Sequence, residues 1–293
     1  GTSESYTYTA SGQRQTVIDS RGLTSYEYDL RDRLTRRTDP DGRSISYTYD
    51  AAGNQTSVTI PSVMTFYTYD ASNRLSTVTD PDAGVTTYGY DAVGNRASVT
   101  YPNGTVAEYT YDSLNRLTHL LNRTSAGATI SSYAYTLGPA GNRTLVVEHT
   151  GRTVDYAYDA TYKLLEESVS DPSTGAQVIR YTYDTVGNRL TKTDNGSVTN
   201  YAYDANDRLL SAGSSTYTYD NNGNTLAEDS ATQDVSYTYD AQNRLIEATI
   251  STTTGSTSVD YVYDEDGIRV QKILQGIDVT NYLVDKNQPF AQV

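Results

Sequence analysis

Tyrosines and small polar residues alternate along this chain in short bursts, each burst cut off by a turn. Ser44-Ile45-Ser46-Tyr47-Thr48-Tyr49 sends Ile45 and both tyrosines to one side and Ser and Thr to the other. That two-residue period is the mark of a half-buried strand. The segment beyond the turn, Thr56-Ser57-Val58-Thr59-Ile60, keeps the same period and the same β-favouring residue types. No apolar stripe recurs at helical spacing. The pattern predicts an all-β chain.

The bursts repeat. A Tyr-x-Tyr step begins at Tyr6, Tyr26, Tyr47, Tyr67, Tyr88, Tyr109, Tyr133, Tyr156, Tyr181, Tyr201, Tyr217, Tyr237 and Tyr261. The thirteen steps recur on average about every 21 residues and leave only Tyr101, Tyr162 and Tyr282 outside them. Eleven run directly into Asp, while Thr9 and Thr136 stand there in the other two. Six residues after the first Tyr comes Gly, Asn or Asp, the types that tolerate a left-handed backbone. Asp followed three residues later by such a residue predicts a type I turn closed by a bulge, with the Asp accepting amides of its own turn. The defining residues are, in four copies, Tyr47, Tyr49, Asp50 and Gly53; Tyr67, Tyr69, Asp70 and Asn73; Tyr88, Tyr90, Asp91 and Gly94; Tyr181, Tyr183, Asp184 and Gly187. Gly-Asn turns alternate with Asn-Arg-Leu turns, so the full period is a pair of hairpins, about 42 residues. Two copies deviate: Leu137-Gly138-Pro139-Ala140-Gly141 carries an insertion, and Tyr162 takes the left-handed position.

Thirteen hairpins imply about 26 strands, which at about 4.8 Å spacing would make a flat sheet roughly 125 Å wide. Strand twist forbids such a sheet, so it is expected to curl into one long spiralling antiparallel sheet, shell-, barrel- or solenoid-like. Residues 1–293 read as a single array, expected to be a segment of a larger protein. The residue between the two tyrosines (Thr48, Thr68, Gly89, Thr110, Ala157, Ala202) should face away from them, leaving one aromatic and one polar face.

Composition narrows the chemistry. A net charge of −14 disfavours nucleic acid and anionic membranes as partners. No apolar run approaches the roughly 20 residues of a membrane span, and Gly1-Thr2-Ser3 opens no recognisable leader. The absence of Cys removes disulfides and thiolate chemistry and fits an exported product. His119 and His149 occupy no repeat-defining position, and no nucleophile elbow, phosphate loop or zinc motif accompanies them. The repeated Asp is accounted for by its turn, whereas a catalytic carboxylate pair should be singular. Asp39-Pro40-Asp41-Gly42 and Asp264-Glu265-Asp266-Gly267 lack the twelve-residue spacing of a calcium loop and read as turns. Arg74, Arg96, Arg116, Arg189, Arg208 and Arg244, just past the turn, are expected to pair with nearby Asp. The reading is of no enzyme, no metal and no cofactor.

Tyr181-Thr182-Tyr183-Asp184-Thr185-Val186-Gly187-Asn188-Arg189-Leu190 closely resembles the YD repeat of RHS (rearrangement hot spot) proteins, found also in insecticidal toxin-complex shells, wall-associated proteins and teneurins. The resemblance spans residues 6 to about 264, and the tail from Asn281 to Val293 is similar to the segment that follows a repeat block in that family. It implies a spiralling strip of hairpins forming a hollow shell around a variable C-terminal effector, in a secreted or cell-surface protein. The family's aspartyl self-cleavage core does not carry over, because no Asp-Pro step here (Asp39-Pro40, Asp80-Pro81, Asp171-Pro172) continues into Gly-Leu. The expected function is a non-catalytic shell or scaffold enclosing or displaying an effector or further repeats. The alternative is an adhesin stacking uncovered tyrosines on cell-surface glycans. With no clear cap at Gly1 or Val293, open strand edges invite self-association.

Overall fold

The computed structural model describes residues 4–275 and 277–287. They form 27 strands with the topology of an antiparallel sheet and no helix among them. Consecutive strands pair as hairpins. β1 (Ser5–Tyr8) with β2 (Arg14–Asp19) is hairpin 1, and β3 (Gly22–Tyr28) with β4 (Leu34–Thr38) is hairpin 2. β5 (Ser44–Tyr49) with β6 (Gln55–Ile60) is hairpin 3, and so on to β25 (Gly255–Tyr263) with β26 (Arg269–Leu274), hairpin 13. β27 (Asp278–Asn281) then adds to β26.

The turns follow from local chemistry. The Asp50 amide donates to the Asn54 carbonyl at 2.9 Å, and the Gly53 amide to the Asp50 carbonyl at 3.2 Å. Pairing then slips by one residue between Thr48 and Tyr49, the bulge that a left-handed residue permits. Every hairpin has its positive-φ residue there, from Gly187 at +104° to Asp32 at +57°, and even Tyr162 adopts +64°. The Asp carboxylate secures the loop. In Asp70 one oxygen accepts the Ser72 and Arg74 amides at 2.8 and 3.0 Å, and the other accepts Arg74 Nε at 2.8 Å.

One copy departs from the sequence reading. In hairpin 7, β13 (Thr129–Leu137) is lengthened by the two inserted residues, so the turn starts at Gly138 rather than Thr136. The left-handed residue is Gly141, and Tyr135 and Leu137 take the places of the two tyrosines. The strand absorbs the insertion because a shift of two keeps every side chain on its own face.

Contacts divide the chain into two compact units, residues 1–83 with 217–293, and residues 84–216. In both, the tyrosine face is the packed one. The residue opposite the first Tyr is typically aliphatic: Val17 facing Tyr6, Val58 facing Tyr47, Val99 facing Tyr88. Val17, Val99, Val154 and Ile45 are buried, while Thr48, Thr68, Thr110, Ala157 and Ala202 on the other face are exposed and Gly89 is half-buried.

Candidate functional site

Two arrangements use the repeat's chemistry. The first is a ladder running from hairpin to hairpin. The second Tyr of a hairpin donates its hydroxyl to the carbonyl that opens the return strand of the hairpin before it. Tyr28 reaches Arg14 O at 2.8 Å, Tyr49 Leu34 O at 2.7 Å and Tyr69 Gln55 O at 2.8 Å. Tyr111, Tyr158, Tyr183 and Tyr263 make the same bond to Arg96, Arg143, Leu164 and Leu245. A Phe of equal size would pack but leave those carbonyls unbonded, which is why the position is Tyr.

The ladder also explains the two-hairpin period. After a Gly turn, the following Asn points its amide at the left-handed residue of the next hairpin: Asn54 to Asn73 at 3.0 Å, Asn95 to Asn115 at 2.9 Å, Asn188 to Asp207 at 2.8 Å. That acceptor must be Asn or Asp, so a Gly turn is followed by an Asn or Asp turn. The Arg of the second type pairs with its own Asp and reaches on to the next hairpin's backbone, as Arg33 does to Asp50 O at 3.0 Å. In hairpin 7, where Gly138 stands in place of the turn Asp, Asn142 Oδ1 is buried without a hydrogen-bond partner.

The expected Arg–Asp pairing needs correction at two of six positions. Arg74, Arg116, Arg208 and Arg244 pair with the Asp four residues earlier at 2.6–2.7 Å. Arg96 and Arg189 follow Gly-Asn, one residue further on and already in a strand. They lie over tyrosine rings instead, Arg96 over Tyr109 at 5.4 Å and Arg189 over Tyr201 at 4.2 Å. The first tyrosines find carboxylates where one is near, as Tyr181 does in Glu167 at 2.6 Å, and that hydroxyl's pKa is pushed up to about 12 by burial and by the carboxylate. His119 lies on β12 (Leu117–Arg123), and His149 in the turn after β14 (Arg143–Glu148).

The second arrangement was not legible as a site. Within the unit formed by residues 1–83 and 217–293, the turn of hairpin 13 and the tail 284–287 meet side chains of hairpins 1–3. Arg37 occupies the slot opposite Tyr26, where hairpins 1, 3, 4 and 5 carry Val. It is 2 % exposed, as is Asp264, and the covering Val284 is 1 % exposed. Arg37 Nη1 donates to Val284 O at 2.9 Å. Its Nη2 lies 2.7 Å from Asp39 Oδ1 and 3.9 Å from Asp264 Oδ2, charge contacts without the angles of hydrogen bonds.

Around this centre the acidic turn is fully engaged. Lys286 Nζ contacts Asp264, Glu265 and Asp266 at 2.5, 3.3 and 2.7 Å. Arg21 meets Glu265 at 2.8 Å, Arg14 meets Asp266 at 3.0 Å, and the Tyr26 hydroxyl donates to Glu265 at 2.8 Å. Burial works to raise the Glu265 carboxyl, but Lys286, a backbone amide and Tyr26 hold it below its usual range. Burial and Glu265 raise the Tyr26 hydroxyl. Further along the tail, Tyr47 donates to Asp285 at 2.6 Å, and Asn287 Nδ2 donates to Tyr49 Oη at 2.7 Å and Gln55 Oε1 at 3.2 Å. Among the described residues no group of three or more His, Cys, Asp or Glu side chains is placed to hold a metal. The signal that could have found this seam is Arg37 itself, a cation where the neighbouring hairpins carry Val. The tail residues after Asn287 and the start at Gly1 lie outside the described residues.

Residues 141–284 match the sequence pattern of the teneurin YD-shell family, and residues 28–62, 69–106 and 90–130 match the RHS repeat. No curated relative matches the sequence. Among solved structures, a Photorhabdus luminescens Tc holotoxin pore is similar over 96 % of this chain and 17 % of that one, with a TM-score of 0.79 at 17 % identity. The crystal structure of TcdB2-TccC3 is similar over 95 % of this chain and 20 % of that one, at a TM-score of 0.63 and 15 % identity. The chain therefore spans a fifth or less of the length of those two.

Proposed function

From the premise that the chain belongs to the RHS and YD-repeat family, we propose that it is a non-catalytic structural segment of a shell. It works as one array over residues 1–293 of a longer, secreted or surface-displayed protein, and encloses or displays an effector or further repeats of the same polypeptide. The observation that carries this reading is where the polar chemistry goes. Turn carboxylates accept their own loops, Asn amides and Tyr hydroxyls join hairpin to hairpin, and Arg groups brace the joints. Tyr47, Tyr49, Asp50 and Gly53, with their counterparts in hairpins 4, 5 and 9, are on this reading the residues that build the wall.

Enclosure is testable by protection. A natively disordered polypeptide fused after Val293 in the full-length parent protein is expected to resist proteinase K far longer than the same polypeptide free in solution. Digestion at equal rates would overturn enclosure and leave a display scaffold.

A further inference from the structure

We infer that the groove over hairpins 2 and 3 is a peptide-recognition site for an extended hydrophobic–Asp–Lys–Asn segment, and that the same segment of a second copy fills it when the chain's own is withdrawn. In this structure the occupant is residues 284–287, held through side chains of hairpins 2, 3 and 13.

Recognition is specific to sequence at each position. Val284 is 1 % exposed, so its pocket admits an apolar side chain and excludes a charged one, while its carbonyl is read by Arg37. Asp285 is read by the Tyr47 hydroxyl. Lys286 is read by three carboxylates of the acidic turn, and Asn287 by Tyr49 and Gln55. Arg37, Tyr47, Tyr49 and Gln55 of the receptor side stand on hairpin strands, and its three carboxylates on the turn of hairpin 13. The ligand side joins the last strand through Tyr282 and Leu283 alone, and Tyr282 is tied back by its amide to Val270 O at 2.8 Å. A ligand on so short a tether sees an effective concentration on the order of millimolar, so it hides its own receptor from any copy in solution. Exchange between copies thus requires the tether to let go, and it uses a surface different from the open strand edges.

The test uses full chains. Val284→Asp withdraws the tail, and a fluorescein-labelled nine-residue peptide with the sequence of residues 279–287 is the probe. The peptide is expected to bind the Val284→Asp chain at least tenfold more tightly than wild type, with binding lost when Tyr47→Phe and Arg37→Met are added. A Val284→Asp chain that unfolds cooperatively yet binds no peptide would sink the inference. So would equal binding to wild type. Should Val284→Asp fail to fold, Asp285→Lys serves as the receptor chain under the same two outcomes. Mixing the tail-deficient chain with a full-length Tyr47→Phe/Arg37→Met chain should further produce a heterodimer by sedimentation that neither forms alone, and its absence counts against exchange.

Discussion

Two kinds of hairpin share one backbone here. In hairpins 5 and 6, within residues 84–216, the slot opposite the first Tyr holds Val99 and Leu120, and the packed face is closed by aliphatic contact. In hairpin 2 the same slot holds Arg37, buried among the most deeply covered residues because the tail lies on it. Hairpins 8 and 9 carry Glu167 and Lys192 there, but these stay half-buried, and Glu167 simply accepts the Tyr181 hydroxyl. A charge in the slot is tolerated by the repeat. What turns it into a lock is a second layer of chain that brings matching carboxylates.

Acid should produce the largest effect and should strike both kinds of hairpin. The Arg33 hydrogen bond holds the Asp29 carboxyl to about 2, and its counterparts Asp50, Asp70, Asp91, Asp112 and Asp184 are also held low. Carboxyls depressed in the folded state contribute stability fully above their unfolded pKa, near 4, and lose it as pH falls toward 2. Melting temperature measured against pH should therefore be level near neutrality and drop steeply between about pH 4 and 2. A flat profile would remove the turn carboxylates from the account.

Next in size is the seam. Arg37→Met strands Asp39 in a buried site and is expected to cost about 3–5 kcal/mol in denaturant unfolding. Val99→Ala, in the aliphatic version of the slot, should cost about 2 kcal/mol. Equal losses would mean that the seam is ordinary packing.

Backbone handedness gives a smaller contrast. Gly187→Ala at φ +104° should cost about 1–2 kcal/mol, while Asn73→Gly at φ +58° should change stability by less than about 0.5 kcal/mol apart from its bond to Asn54. Smaller again is one rung of the ladder. Tyr183→Phe deletes the bond to Leu164 O for about 1 kcal/mol, whereas Tyr8→Phe, at a ring 60 % exposed, should be silent. Thermal shifts of the two variants compared side by side decide whether the hydroxyl or the ring matters.

Hairpin identity, turn type and left-handed positions were readable because each involves groups a few residues apart, and the alternation of Gly with Asn turns because it recurs at a fixed period. The turn of hairpin 7 begins two residues later than its Tyr-x-Tyr step implies, because Tyr133-Ala134-Tyr135-Thr136 imitates the unit locally. Arg96 and Arg189 were misassigned for a related reason: one residue of offset moves a side chain from loop to strand.

The strand period, the hairpin as building block, and the residues that bend and brace each turn follow from neighbouring residues alone. That Arg37, Tyr26 and Tyr47 meet Asp264, Glu265 and Asp285, partners 227 to 239 positions away, depends on how distant stretches come together. Short-range hydrogen bonds leave their mark in neighbouring letters. A contact between distant stretches depends on where accumulated twist returns the strip, and burial of a charge becomes favourable only once its counter-charges have arrived.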